Sequence, residues 1–270
     1  MAANHPSAIS SASATSGPLA CGRGEPVVLV HGLFGQPSNW ARVMDALADR
    51  FRLHAPQLPI DYRPGCRASD FDAFQRLTDS VVGYMDERGI ERATVGGNSL
   101  GGQVAIDLCL RYPDRAHRLV LTGSAGLFER DLGTNGMPRV DRDWIRAKAA
   151  EVFYDAGHVT DEMIEQLREM LADRAYRRFM LRVAKATRSY NVRAELGRLT
   201  LPTLIVWGRE DRITPPSVAE EFAGELPNAR LVYLEACGHA PPIEQPGPFS
   251  QALGRFLSAS VEQFAQTSHR

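Results

Sequence analysis

Short apolar, β-branched runs alternate along the chain with helix-length segments whose apolar residues recur every three or four positions. The runs at 26–30, 51–55, 93–97, 118–122, 203–207 and 230–234 each end in turn or polar residues and predict strands. Between them, residues 39–50, 70–88 and 102–112 predict helices. The second of these carries Phe71, Phe74, Leu77, Val81 and Met85 at spacings of three and four, and the third is stopped by Pro113. Strand and crossover helix in alternation build a mostly parallel, doubly wound sheet with helices on both faces, an α/β fold class.

The rhythm breaks once. Between Thr122 and Thr203 no run reads as a strand, while 141–153, 160–172 and 174–186 keep helical periodicity and Thr160 stands where an N-cap belongs. Residues 123–202 therefore read as a helical cap inserted into a core made of 25–122 and 203–270. Residues 1–24 show no strand alternation and are expected to be a poorly ordered tail.

Composition narrows the partners. Of 270 residues, 44% are hydrophobic and 23% charged, and 31 Lys+Arg against 32 Asp+Glu leave a net charge of −1. Such a chain offers no broad positive field for nucleic acid. It has no apolar run long enough to cross a membrane, and no basic segment followed by an apolar stretch that would read as a secretory signal. Cys21, Cys66, Cys109 and Cys237 are scattered without a paired motif, which fits a reducing cytoplasm. Neither a metal motif nor a glycine-rich dinucleotide loop after a strand is present, so no cofactor is expected.

The strongest chemical signal is Gly97-Asn98-Ser99-Leu100-Gly101, which follows a predicted strand and opens a predicted helix. A serine at such an elbow is lifted above the carboxyl end of the sheet, and nearly side-chain-free neighbours let strand and helix approach. A hydroxyl is a poor nucleophile at neutral pH and needs a base oriented by a third group. Gly238-His239 follows the last strand, and Trp207-Gly208-Arg209-Glu210-Asp211 follows the one before it. The order is Ser99, Asp211, His239. Among the other histidines, His5 and His269 lie near the ends, His54, His117 and His158 have no acid in a matching loop, and His31 precedes a glycine turn. Glu210 competes with Asp211 for the orienting role. Asp211 is favoured because its reach is shorter and it lies just before Thr214-Pro215-Pro216. His31-Gly32-Leu33-Phe34-Gly35, after the first strand, can turn one backbone N–H towards the nucleophile. The N–H of Leu100 would complete an oxyanion hole.

At these residues the chain resembles the α/β-hydrolase fold superfamily, from about Glu25 to about Phe256. The resemblance implies Ser99 as nucleophile, Asp211 as acid, His239 as base and Leu33 as the second oxyanion donor. It implies an acyl-enzyme route rather than the aspartate-nucleophile chemistry of haloalkane dehalogenases and epoxide hydrolases. Asn98 and the size of the cap are similar to the meta-cleavage-product hydrolases, which cut a carbon–carbon bond in vinylogous diketones. Those enzymes tend to carry Trp after the catalytic histidine, where this chain has Ala240, and grip a carboxylate with a lid arginine, for which Arg168 and Arg188 are the candidates. The superfamily usually begins its sheet with a β-hairpin, so a sheet of fewer than eight strands is expected here.

These readings predict a small-molecule substrate with a carbonyl group, seated between cap and sheet against Phe34, Asn98 and Phe128, with Phe153 and Met180 from the cap. Three functions stay open: hydrolysis of a small or medium carboxylic ester, carbon–carbon bond hydrolysis, and a non-catalytic ligand receptor on the same fold.

Overall fold

The computed structural model describes residues 17–60, 62, 67, 73–128 and 141–260. Seven strands form one sheet: β1 (Leu19–Gly22), β2 (Glu25–Val30), β3 (Phe51–Ala55), β4 (Ala93–Asn98), β5 (Ala116–Thr122), β6 (Thr203–Gly208) and β7 (Ala229–Leu234), in the spatial order β1-β3-β2-β4-β5-β6-β7. Strands β2 to β7 run parallel. Only β1 is antiparallel, pairing Leu19 with Ala55 and Gly22 with Arg52.

β1 corrects the expected tail. Leu-Ala-Cys-Gly shows no strand pattern because, at the sheet edge, its residues are only half-buried or exposed, and the ladder with β3 supplies its order. Residues 1–16 of that tail lie outside the described residues, as do Cys66 and positions 70–72 at the start of the second predicted helix. The six predicted strands are found to within two residues.

Alternation along β2 sorts the core. Val28 and Val30 face one layer with Val95, Leu119, Leu121 and Ile205, against α2 (Gln75–Glu87), α3 (Leu100–Arg111) and α8 (Pro216–Glu225). Val27 and Leu29 face the other with Val120, Leu204 and Val206, against α1 (Ala41–Leu47) and α10 (Pro246–Ser258). A strand buried on both sides reads as a continuous apolar run, which is why these strands were legible. Each fully buried Val or Leu contributes roughly 1.5–3 kcal/mol.

The segment between β5 and β6, read from the sequence as a cap, holds α4 (Arg142–Ala150), α5 (Asp161–Ala172), α6 (Arg174–Ser189) and the short α7 (Arg193–Leu196), with no strand among the described residues 123–128 and 141–202. Local capping sets the helix starts: Asp141 accepts from the Trp144 N–H, Thr160 from Met163, and Asp173 from both Ala175 and Tyr176. Ile145, Phe153, Val159, Ile164 and Leu171 form a smaller apolar cluster, which Ala240 from beyond β7 joins. In contrast, Tyr176, Phe179, Met180 and Val183 of α6 belong to the main core. The Tyr176 hydroxyl donates to the Ile60 carbonyl at 3.0 Å, and Tyr190 donates to buried Asp107 of α3 at 2.5 Å. No described helix is long and apolar enough to cross a membrane.

Candidate active site

Because β2 to β7 are parallel, the loops after β2, β4, β6 and β7 all leave the same edge of the sheet. Ser99 stands between β4 and α3 at φ 56° and ψ −122°. This conformation costs roughly 1–3 kcal/mol and persists only where its surroundings impose it. They do so here. The Ser99 N–H donates to Thr122 O at 3.0 Å, and its carbonyl accepts from Gly102 at 3.0 Å, Gln103 at 3.3 Å and Ala125 at 3.1 Å. A Cβ on Gly97 would lie 2.2 Å from the Gly101 carbonyl carbon, and one on Gly101 would lie 2.1 Å from Val30 O. Strand, elbow and helix can approach this closely only with both glycines.

The loop after β6 delivers the acid. Asp211 Oδ1 accepts from the N–H of Ile213 at 2.8 Å and of Thr214 at 3.0 Å. Its Oδ2 accepts from Thr214 Oγ1 at 2.9 Å and lies 2.9 Å from His239 Nδ1. The Trp207 indole donates to the Thr214 carbonyl at 2.8 Å and pins this turn from below. With an acceptor-only carboxylate opposite Nδ1, the proton of the neutral imidazole belongs on Nδ1, which makes Nε2 the acceptor nitrogen. Glu210 points elsewhere: its Oε2 accepts the Cys237 N–H at 3.0 Å, and its own N–H donates to the Cys237 carbonyl at 3.0 Å. The neighbouring acids divide the work, one facing the imidazole and one holding its loop.

The histidine loop is tied on two further sides. The His239 N–H donates to Val152 O of the cap at 2.8 Å. Its carbonyl accepts from Asn98 Nδ2 at 2.9 Å, and the same nitrogen donates to Thr122 O at 3.0 Å. Asn98 was expected to touch substrate. Its amide nitrogen bridges main-chain oxygens on two other segments of the site.

On the opposite side, His31 is buried, with Nδ1 2.9 Å from Gly32 O and Nε2 accepting the Leu58 N–H at 3.1 Å. These contacts brace the loop that carries Leu33. Gly32 lies against Ser99, since an added Cβ there would be 3.1 Å from Ser99 Cβ. Leu33 is half-buried, and Leu100, as the first residue of α3, has its N–H outside the helical ladder.

The remaining candidates separate. Phe128 and Arg188 line one cavity of about 160 Å³ with Gly126, Leu127, Thr187 and Tyr190. Phe34 is exposed. Arg168 lies on the outer face of α5, half-exposed, and donates to Glu165 at 2.7 Å. Phe153 and Met180 are packed into apolar clusters as core residues. Sequence reasoning missed Glu244, whose carboxylate accepts from main-chain N–H groups of the histidine loop; main-chain partners leave no residue pattern to find. No group of three or more His, Cys, Asp or Glu among the described residues is placed to hold a metal ion.

A parallel sheet wound on both faces, a strained serine after β4, and an aspartate–histidine pair in the loops after β6 and β7 define a hydrolase-type fold. The alpha/beta hydrolase family model matches residues 27–252, and the chain belongs to that family. It is 32% identical to 2-hydroxymuconate semialdehyde hydrolase of Pseudomonas sp. strain CF600 over 254 residues, covering 88% of each protein. It is 31% identical over 242 residues to pimeloyl-[acyl-carrier protein] methyl ester esterase of Nitrosomonas europaea, covering 84% of this chain and 94% of the relative. Among solved structures, a mutant of the meta-cleavage product hydrolase of Pseudomonas fluorescens IP01 superposes with a TM-score of 0.76 at 28% identity, covering 89% of this chain and 93% of that one.

Proposed function

We propose that the protein is a serine hydrolase acting through an acyl-enzyme on a small or medium carboxylic ester. The observation that carries this reading is the 2.9 Å contact between Asp211 Oδ2 and His239 Nδ1, made by two loops at the sheet edge where the Ser99 elbow emerges. His239 Nε2 takes the proton from Ser99 Oγ as that oxygen attacks the carbonyl carbon. The tetrahedral oxyanion is held by the N–H groups of Leu33 and Leu100, each such donor being worth about 2.7–4 kcal/mol. His239, now imidazolium facing Asp211, gives its proton to the departing alkoxide, and the ester C–O bond breaks. Water then attacks the acyl-enzyme with His239 again as base, and the acid and Ser99 are released.

Carbon–carbon hydrolysis is the second reading. It is favoured by Arg188 at the cavity beside Phe128, which suits a substrate carboxylate, and by the similarity to hydrolases of that type. Ala240 in place of the tryptophan those enzymes tend to carry weighs against it.

A panel of p-nitrophenyl esters of increasing chain length, with a vinylogous 1,5-diketone acid alongside and Ser99→Ala as blank, tests both. Ester turnover with a chain-length optimum supports the first reading, and preference for the diketone by orders of magnitude replaces it with the second. A serine-directed phosphonate is expected to add its mass to the wild type and not to Ser99→Ala. A folded wild type that takes no label and turns over nothing would overturn the catalytic reading and leave the non-catalytic ligand receptor as the alternative.

A further inference from the structure

Glu244 ends α9 (Pro241–Glu244), the short helix after the histidine loop. Its carboxylate accepts from the Gly238 N–H at 3.0 Å to each oxygen, from the Ala240 N–H at 3.1 Å, and from the Tyr154 N–H of the cap at 2.7 Å. Two of these amides flank His239 in sequence. The third lies far away in the chain, in the loop after α4. The same stretch of cap reaches back, since the His239 N–H donates to Val152 O at 2.8 Å. A Cβ on Gly238 would stand 2.7 Å from Val152 O and 2.8 Å from Tyr154 N, so the two segments are in main-chain contact.

A carboxylate that reaches back to the amides just before its own helix can be read as ordinary helix capping. Capping accounts for Ala240 and Gly238. It does not account for Tyr154, whose amide has the shortest of these bonds. Charge-assisted bonds of this kind are roughly twice as strong as neutral ones, and a carboxylate has two acceptor oxygens to share among three donors. No other side chain of this length supplies two acceptor oxygens.

We propose that Glu244 is a positioning residue for His239. It fixes the main chain on both sides of the imidazole, and by the same carboxylate it seats the cap segment Val152–Tyr154. Docking of the cap and alignment of the base are thereby one event. The effect on rate rests on the serine-hydrolase reading; the effect on structure does not.

The test compares wild type with Glu244→Gln, which keeps one acceptor oxygen, and Glu244→Ala, which keeps none. Val43→Ala, in the buried core at α1, serves as a control for general destabilisation. Four readouts are taken: the rate of Ser99 labelling by a small phosphonate, kcat and KM on the best ester, the low-field proton of His239 Nδ1–H, and amide exchange at Tyr154, Gly238 and Ala240. We expect labelling and kcat to fall at least tenfold in Glu244→Gln and further in Glu244→Ala. The low-field proton is expected to broaden, and the three amides to lose protection together. Val43→Ala is expected to label within twofold of wild type.

The proposal is overturned if both Glu244 variants keep the labelling rate and the low-field proton of wild type. It is also overturned if Gly238 and Ala240 lose protection while Tyr154 keeps it, which would leave local capping alone. Failure of both variants to fold, with Val43→Ala folded, would make Glu244 a folding element and overturn it equally. If folded wild type shows the low-field proton yet neither labels nor turns over, the hydrolase reading fails, and amide exchange still decides the role of Glu244.

Discussion

The side-chain amide of Asn98 donates to the main-chain carbonyl of His239 at 2.9 Å, across 141 positions of sequence. The residue before the candidate nucleophile thus holds the loop of the candidate base, and the hydrogen bond sets the spacing of the two through main chain. Asn98→Ala would take this donor from the His239 carbonyl and one of two donors from that of Thr122, which keeps the Ser99 N–H, a loss of about 1–3 kcal/mol. Misplacement of the imidazole is expected to lower kcat by roughly ten- to a hundredfold. Thermal unfolding and ester kinetics check this together, and wild-type values in both would reduce the bridge to a bystander.

Asp211→Asn is expected to fold and to lose about 10⁴-fold in kcat, because an amide in place of Oδ2 favours the wrong imidazole tautomer. Thr214→Val removes only the hydroxyl that shares Oδ2, 3.2 Å from His239 Nδ1, and its loss is expected to be far smaller. Steady-state rates for the pair give the comparison. Equal losses would mean that the turn, rather than the carboxylate, sets the rate.

Two glycines make opposite predictions. Gly101→Ala places a methyl 2.1 Å from Val30 O, in backbone that cannot give way, and is expected to cost more than about 4 kcal/mol or to abolish soluble expression. Gly224→Ala, in helix α8 with no atom near the new methyl, is expected to stabilise by about 0.5–1 kcal/mol. Urea unfolding measures both. A destabilised Gly224→Ala would show that propensity does not govern that helix.

His54 is buried beside Tyr84, with Nδ1 3.1 Å from the phenol oxygen and Nε2 unpartnered. Burial first, and then the charges of Arg52 and Arg88, push its pKa from 6.5 down to about 4. Between these values the unfolded chain takes up a proton that the folded chain refuses. This contribution to stability is therefore complete above pH 6.5 and is lost as pH falls towards 4. Chemical unfolding of wild type and His54→Gln across this window is expected to show a shallower acid slope in the variant. Parallel curves would place the acid sensitivity elsewhere.

The legible part of this protein is the part written in side chains. The run Pro26–Val30 announced a strand buried on both faces, and Thr160 announced the start of α5, because each carries its structural reason in its own residues. Ser99, Asp211 and His239 stood out as candidates because serine-nucleophile chemistry needs those residue types, each in a loop after a predicted strand. Leu19–Gly22 did not, since an edge strand is defined by its partner. The directions of Arg168 and Arg188 were equally hidden, because helix phase within the cap decides which arginine meets solvent and which meets a cavity. Glu244 was invisible for a different reason: its partners are main-chain amides, which every residue but proline provides.

The cap leaves the sheet after β5 and returns at β6, two strands that are neighbours, so it hangs from adjacent points and looks easy to exchange for another. The interior of α6 forbids this. Tyr176, Phe179, Met180 and Val183 share one apolar cluster with the sheet, and any foreign cap would have to match that surface as well as the two ends. A change of substrate preference is therefore expected to be easier to reach by single substitutions within this segment than by transplanting it.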